Sequence, residues 1–147
     1  MYQEDYLLRQ INQLARALGK LLFDFMGIKN SGKIEEFYQT ANETLKAEID
    51  YNLSELLHIP NDQFVTTLIR KEGFNHTNLN TLADLFFEMG LQLSEIDAFK
   101  YFEKALTLYL YLENHDSTYS FERREKIESI LNKLTKKWNA DTTDAKA

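Results

Sequence analysis

Between Leu79 and Leu112 the apolar residues are spaced so that one local structure hides them all. Leu79, Leu82, Ala83 and Phe86 recur at three and four residues, the period of one helix face. Gly90 follows where a helix commonly ends on a left-handed residue. Ser94 stands where a hydroxyl accepts from a free amide at the start of the next helix, with Asp97 three residues on as its capping-box partner. Ala98, Phe102, Ala105, Tyr109 and Leu112 then repeat the four-three spacing. The stretch predicts a helical hairpin, and Leu106 to Leu112 is so uniformly apolar that its second helix must be covered on every side.

At these residues, 79–112, the chain resembles a tetratricopeptide repeat, a helix-turn-helix unit of about thirty-four residues. Leu79, Leu82, Ala83 and Phe86 fall on the bulky, leucine, small and aromatic positions of that repeat's first helix, and Ala98, Phe102 and Ala105 on the small, aromatic and small positions of its second. Leu110 stands where a proline commonly closes the unit. The resemblance implies protein binding: the first helix of each hairpin lines a concave groove, and Asn80, Asp84, Phe87 and Glu88 would face it. Two carboxylates one helical turn apart imply a protein or peptide partner of basic or amphipathic character. The layout is also similar to small bacterial helical proteins of unknown function that open Met-Tyr-x-x-Asp-Tyr, here Met1, Tyr2, Asp5 and Tyr6.

The rest of the chain reads as helix of the same kind. Leu7, Ile11, Leu14, Leu18, Leu21 and Phe25 form a coiled-coil-like seam, widened by Leu8, Ala15, Leu22 and Met26. Ile34, Phe37, Tyr38, Ala41, Leu45 and Ile49 make the next stripe. Asn52 and Glu55 have the spacing of a capping box, Pro60 stops the following turn, and Asn61 is placed to cap a helix through Phe64 and Leu68 that ends at Gly73. Phe121, Ile127, Leu131, Leu134 and Trp138 mark a last helix whose outer face carries Arg123, Arg124, Lys126 and Lys133. With five glycines and one proline among 147 residues there is too little punctuation for a many-stranded fold. The expectation is an all-α compact antiparallel bundle of about six helices, a single domain over 1–138 followed by a disordered tail over 139–147. Solenoids need several repeats and one is clear here, so a closed bundle or a homodimer is expected.

Composition and motifs bound the function. A formal charge of −6 argues against nucleic acid as a partner. No cysteine means no disulfide, thiol catalysis or cysteine-bound zinc. No secretory signal or span of roughly twenty apolar residues is visible, so a cytoplasmic protein is expected. Gly27 to Ile34 nearly spells a phosphate-binding loop, but Ile34 occupies the place of the magnesium-binding hydroxyl, so a helix-to-helix turn is expected. Glu55-x-x-His58 is the one metal-like spacing, and no second pair accompanies it. The expectation is therefore no catalytic residue, no metal and no cofactor, and a non-catalytic interaction (adaptor or scaffold) domain. The alternative reading is a peripheral protein holding an anionic membrane surface through the amphipathic helix 2–26, with Arg16 and Lys20 beside the seam.

Overall fold

Helix α1 (Tyr2–Ile28) divides its apolar register between core and surface. Leu14, Leu18, Leu21 and Phe25 are buried, whereas Tyr6, Leu7 and Leu8 in its first turns are exposed. The computed structural model describes residues 2–146, with the side chains of Tyr2, Glu95 and residues 137–146 outside that description. Six further helices follow: α2 (Ile34–Ile49), α3 (Leu53–His58), α4 (Asn61–Ile69), α5 (His76–Gln92), α6 (Glu95–His115) and α7 (Phe121–Lys146). Among the described residues there is no strand, so the chain is all-α, with seven helices where about six were expected. The expected tail over 139–147 falls on residues whose side chains lie outside those described, although the bounds of α7 reach Lys146. Among the described residues no helix is long and apolar enough to cross a membrane.

The predicted hairpin is the centre of the packing. Only Leu93 and Ser94 separate α5 from α6, and so short a link makes them antiparallel neighbours. Helix α1 packs on α5, while α3, α4 and α7 pack on α6, so the helix that carries Leu106 to Leu112 is covered from several sides, although Leu110 stays exposed against the expectation of cover all round. Leu79, Leu82, Ala83, Leu85, Phe86, Phe87 and Met89 are buried because α5 lies between α1 and α6. Each large side chain hidden this way contributes about 1.5–3 kcal/mol relative to exposure.

Gly90 does not end α5. The helix runs on to Gln92, and a Cβ on Gly90 would sit 2.7 Å from Cε1 of the buried Phe102 ring. Its missing side chain therefore admits an aromatic from α6, a packing role that sequence alone does not distinguish from a cap. Ser94 does occupy the N-cap position of α6, but its hydroxyl makes no capping bond. The register of α7 also differs from expectation. Ile127 and Ile130 are buried and Leu134 half-buried, while Leu131 and Phe121 are exposed; Trp138 lies outside the described side chains. The reason is Arg123, which turns inward: its Nε donates to Glu113 at 2.9 Å and its Nη2 to the Thr118 carbonyl at 3.1 Å.

Two polar tethers fix elements that apolar packing alone would leave free to slide. Asn78, only 1% exposed, donates from Nδ2 to the carbonyls of Gly73 at 2.7 Å and Ile11 at 3.1 Å, joining the turn before α5 to α1. Gly73 has φ +105° and its Cβ position would lie 2.9 Å from the Gln10 carbonyl oxygen, so only glycine fits there. Lys104, buried on α6, donates to the Ile59 carbonyl and to Asn61 Oδ1, with its Nζ 5.1 Å from the Phe64 ring centre. That bond locks α6 to the α3–α4 junction, and it corrects the expected role of Asn61, which is the first residue of α4 and receives Lys104 instead of capping. Burial holds the Lys104 ammonium below the ordinary lysine pKa.

Candidate functional site

Asn80, Asp84, Phe87 and Glu88 do share one face of α5, but that face is not an open groove. Asp84 Oδ1 accepts from the Tyr109 hydroxyl of α6 and from Lys126 Nζ of α7 at 3.0 Å, while Asn80 Nδ2 donates to Asp84 Oδ2 at 3.3 Å. Phe87 is 7% exposed, packs on Phe102 with ring centres 6.0 Å apart, and has Lys126 Nζ 5.8 Å from its own ring centre. Glu88 faces Lys29 from the end of α1, Nζ to Oε2 3.5 Å. That distance is ion-pair range without hydrogen-bond geometry, and Glu88 Oε2, like Asn80 Oδ1, is buried with no hydrogen-bond partner. The chain thus supplies its own cations to both carboxylates. Sequence reasoning assigned Lys126 to a solvated outer face and could not see it folding back onto α5. Burial, with Asp84 beside it, pushes the Tyr109 phenol far above the ordinary tyrosine range.

An open concavity lies elsewhere, where α2, α3 and the start of α6 meet in a cleft of about 670 Å³. Its apolar lining comes from Leu53 and Leu57 of α3, Leu93 of the hairpin link, and the rings of Tyr38 and Tyr101. Glu35, Asn42, Ser54, His58, Asp97 and Lys100 supply the polar lining. The walls are held by specific bonds. Asn42 Oδ1 accepts from the Leu53 amide at 2.9 Å, tying α2 to the first turn of α3. The expected capping box is formed, with Asn52 Oδ1 accepting from the Glu55 amide at 2.9 Å and Glu55 Oε1 accepting from the Asn52 amide at 3.0 Å. Lys46 of α2 adds a 3.1 Å ion pair to Glu55. The Asn52 amide and then Lys46 hold the Glu55 carboxyl below the ordinary glutamate pKa.

The phenols of Tyr38 and Tyr101 both line the cleft, and each influences the other's titration. Tyr101 is 6% exposed and its ring meets Phe86 of α5 edge-on at 5.6 Å, so it connects cleft and core. Burial raises both phenol pKa values; Glu35 and Asp97 add to the rise at Tyr38, and Tyr38 and Asp97 at Tyr101. Glu35 and Asp97 line the same cleft as the two tyrosines. His58 does not belong to a metal set: its Nδ1 lies 2.7 Å from the Ser54 carbonyl one turn back, and Glu55 is engaged in its cap. Among the described residues no three His, Asp or Glu side chains converge as metal ligands. The Gly27 to Ile34 stretch is the helix-to-helix turn expected, with Gly27 in the last turn of α1 and Gly32 at φ +79°.

A model of the family of unknown function DUF6483 matches residues 1–139, which include every residue of both clusters. The chain belongs to that family. Beyond this, no curated protein and no solved structure matches it. The whole-chain resemblance to a family of unknown function therefore holds for this DUF6483 member. None of the four residues expected to face a groove lines the α2–α3–α6 cleft. Its lining joins residues from Glu35 to Tyr101, and no local motif announces that assembly. The one available signal is that Tyr38 and Leu57 sit beside stripe residues and widen each helix's apolar face.

Proposed function

We propose that this DUF6483 chain is a non-catalytic protein-interaction domain whose partner segment seats in the cleft between α2, α3 and α6. The observation that carries the reading is the cleft's construction: a leucine and tyrosine floor, open to solvent, between walls fixed by side-chain bonds. Pre-formed apolar concavities with a few placed polar groups are the usual seats of ligands. The α5–α6 hairpin supports a tetratricopeptide-like origin for the scaffold, since Leu79, Leu82, Ala83 and Phe86 and the facing Ala98, Phe102 and Ala105 are all buried. In such a repeat the first helix would receive the ligand. Here Lys29 and Lys126 occupy that face, so the α2–α3–α6 cleft takes the role. The membrane reading has less support, because Leu14, Leu18, Leu21 and Phe25 of the proposed lipid face are core residues. Partner capture from the native host with wild-type protein and Leu57→Glu tests the proposal. Leu57 is half-buried, so a glutamate there obstructs the cleft while the core residues stay in place. Loss of the captured partner, with unchanged helical circular dichroism, is expected; undiminished capture would overturn the assignment of the cleft.

A further inference from the structure

The two acidic faces of this domain differ in one respect. On α5, Asp84 and Glu88 each have a lysine from elsewhere in the chain, and Lys126 rests between a carboxylate and an aromatic face, 3.0 Å from Asp84 Oδ1 and 5.8 Å from the Phe87 ring centre. In the α2–α3–α6 cleft Glu35 and Asp97 share the lining with Tyr38 and Tyr101, and among the described residues neither makes an ion pair. Lys100 also lines the cleft and is bridged to neither carboxylate. A carboxylate pair beside phenol rings favours a cation with an apolar stem, because the stem covers the rings while the charge meets the acids. The chain's own Lys126 illustrates the chemistry that such a site accepts.

Resting on the reading of the cleft as a partner seat, we infer that its occupant is an amphipathic peptide segment of another protein, with apolar side chains on Leu57, Leu93 and Tyr38 and a lysine or arginine between Glu35 and Asp97. The net charge of −6 on the chain adds long-range attraction for such a segment. The apolar floor supplies contact area, and the carboxylates select sign and register.

Two fluorescein-labelled helix-forming peptides of about fourteen residues test this, sharing one leucine face and carrying either lysine or glutamate at the remaining positions. Fluorescence polarisation is measured against wild-type protein, Leu57→Glu and the double variant Glu35→Gln/Asp97→Asn, at physiological salt. Glu35 and Asp97 are exposed, so the double variant keeps the fold. Wild type is expected to bind the lysine peptide at least about tenfold more tightly than the glutamate peptide, the double variant to reduce that ratio to within about threefold, and Leu57→Glu to weaken both. Equal binding of the two peptides, both abolished by Leu57→Glu, would overturn the cationic occupant while leaving the cleft a seat. A lysine-peptide preference that survives Glu35→Gln/Asp97→Asn would place the basic segment elsewhere and overturn the inference too. Failure of the seat itself is read separately, from partner capture that ignores Leu57→Glu.

Discussion

Replacing Asn78 by alanine removes the tether between α1 and the turn before α5, and the structure sets the size of the effect. The side chain is 1% exposed and its Nδ2 donates to Gly73 O at 2.7 Å and Ile11 O at 3.1 Å. Ile11 lies within α1 and its carbonyl keeps a helical partner, so losing that bond costs about 1 kcal/mol. The Gly73 carbonyl is left buried without this donor, at about 1–3 kcal/mol. Alanine's better helix propensity returns about 0.5 kcal/mol. The net expectation is a loss of about 1.5–3.5 kcal/mol, or roughly 3–14 °C in melting temperature for a domain of this size. Asn78→Asp is the sharper variant, because it points a carboxylate at two carbonyl oxygens. At neutral pH it should be less stable than Asn78→Ala. The introduced carboxyl has a folded pKa above its unfolded value, so its protonated form is favoured in the fold; the deficit therefore shrinks as pH falls through the raised folded pKa. Urea melts of the three proteins across the acidic range read both effects. Asn78→Ala within about 0.5 kcal/mol of wild type, or Asn78→Asp no worse than alanine at neutral pH, would refute the reasoning.

Two other predictions come from the same packing. Gly90→Ala gains about 1 kcal/mol of helix propensity but drives a Cβ to 2.7 Å from the Phe102 ring, which Phe87 backs at 6.0 Å; overpacking costs of about 1–3 kcal/mol make the net change destabilising by about 1 kcal/mol. In a Phe102→Leu background the same substitution should be neutral or stabilising by chemical denaturation, and an unchanged penalty there would contradict the close-approach role. Ultraviolet titration of the phenols should show Tyr101 and Tyr109 ionising late, above the ordinary tyrosine range, with Tyr101→Phe and Tyr109→Phe each removing one late phase. Because both folded pKa values are raised, their contribution to stability is intact below about pH 10 and is lost as the pH climbs toward the folded values. A single titration phase with all tyrosines together would refute the burial of these two phenols.

What was legible in the sequence was whatever a single helix decides about itself. The seam expected from Leu7 to Phe25 is buried from Leu14 onward with Leu7 exposed, the stripe expected from Ile34 to Ile49 is buried at Phe37, Ala41, Leu45 and Ile49, and the Asn52–Glu55 box forms; each is a local feature. Gly90 misleads because glycine serves both a helix end and a close helix crossing, and only the position of Phe102 decides between them. The face of α7 is misread by its apolar spacing because a buried charge, Arg123, sets the register by reaching Glu113 at 2.9 Å and Asp116 at 3.5 Å. The acidic face of α5 fails as an open groove for the same reason. Lys29 and Lys126 stand far from it in sequence, and a charge pattern carries no record of which charges the fold brings together. The cleft is assembled from helices whose individual stripes, even where Tyr38 and Leu57 widen them, do not fix the space between them.

Hydrogen–deuterium exchange of the chain with its captured partner bound tests most directly the claim that the α2–α3–α6 cleft is the partner seat. Slowed exchange confined to residues 34–42, 53–58 and 93–101, with α7 and the start of α1 unchanged, is the predicted footprint. Protection centred instead on α5 and α7, or on the exposed turn holding Tyr6, Leu7 and Leu8, would contradict it.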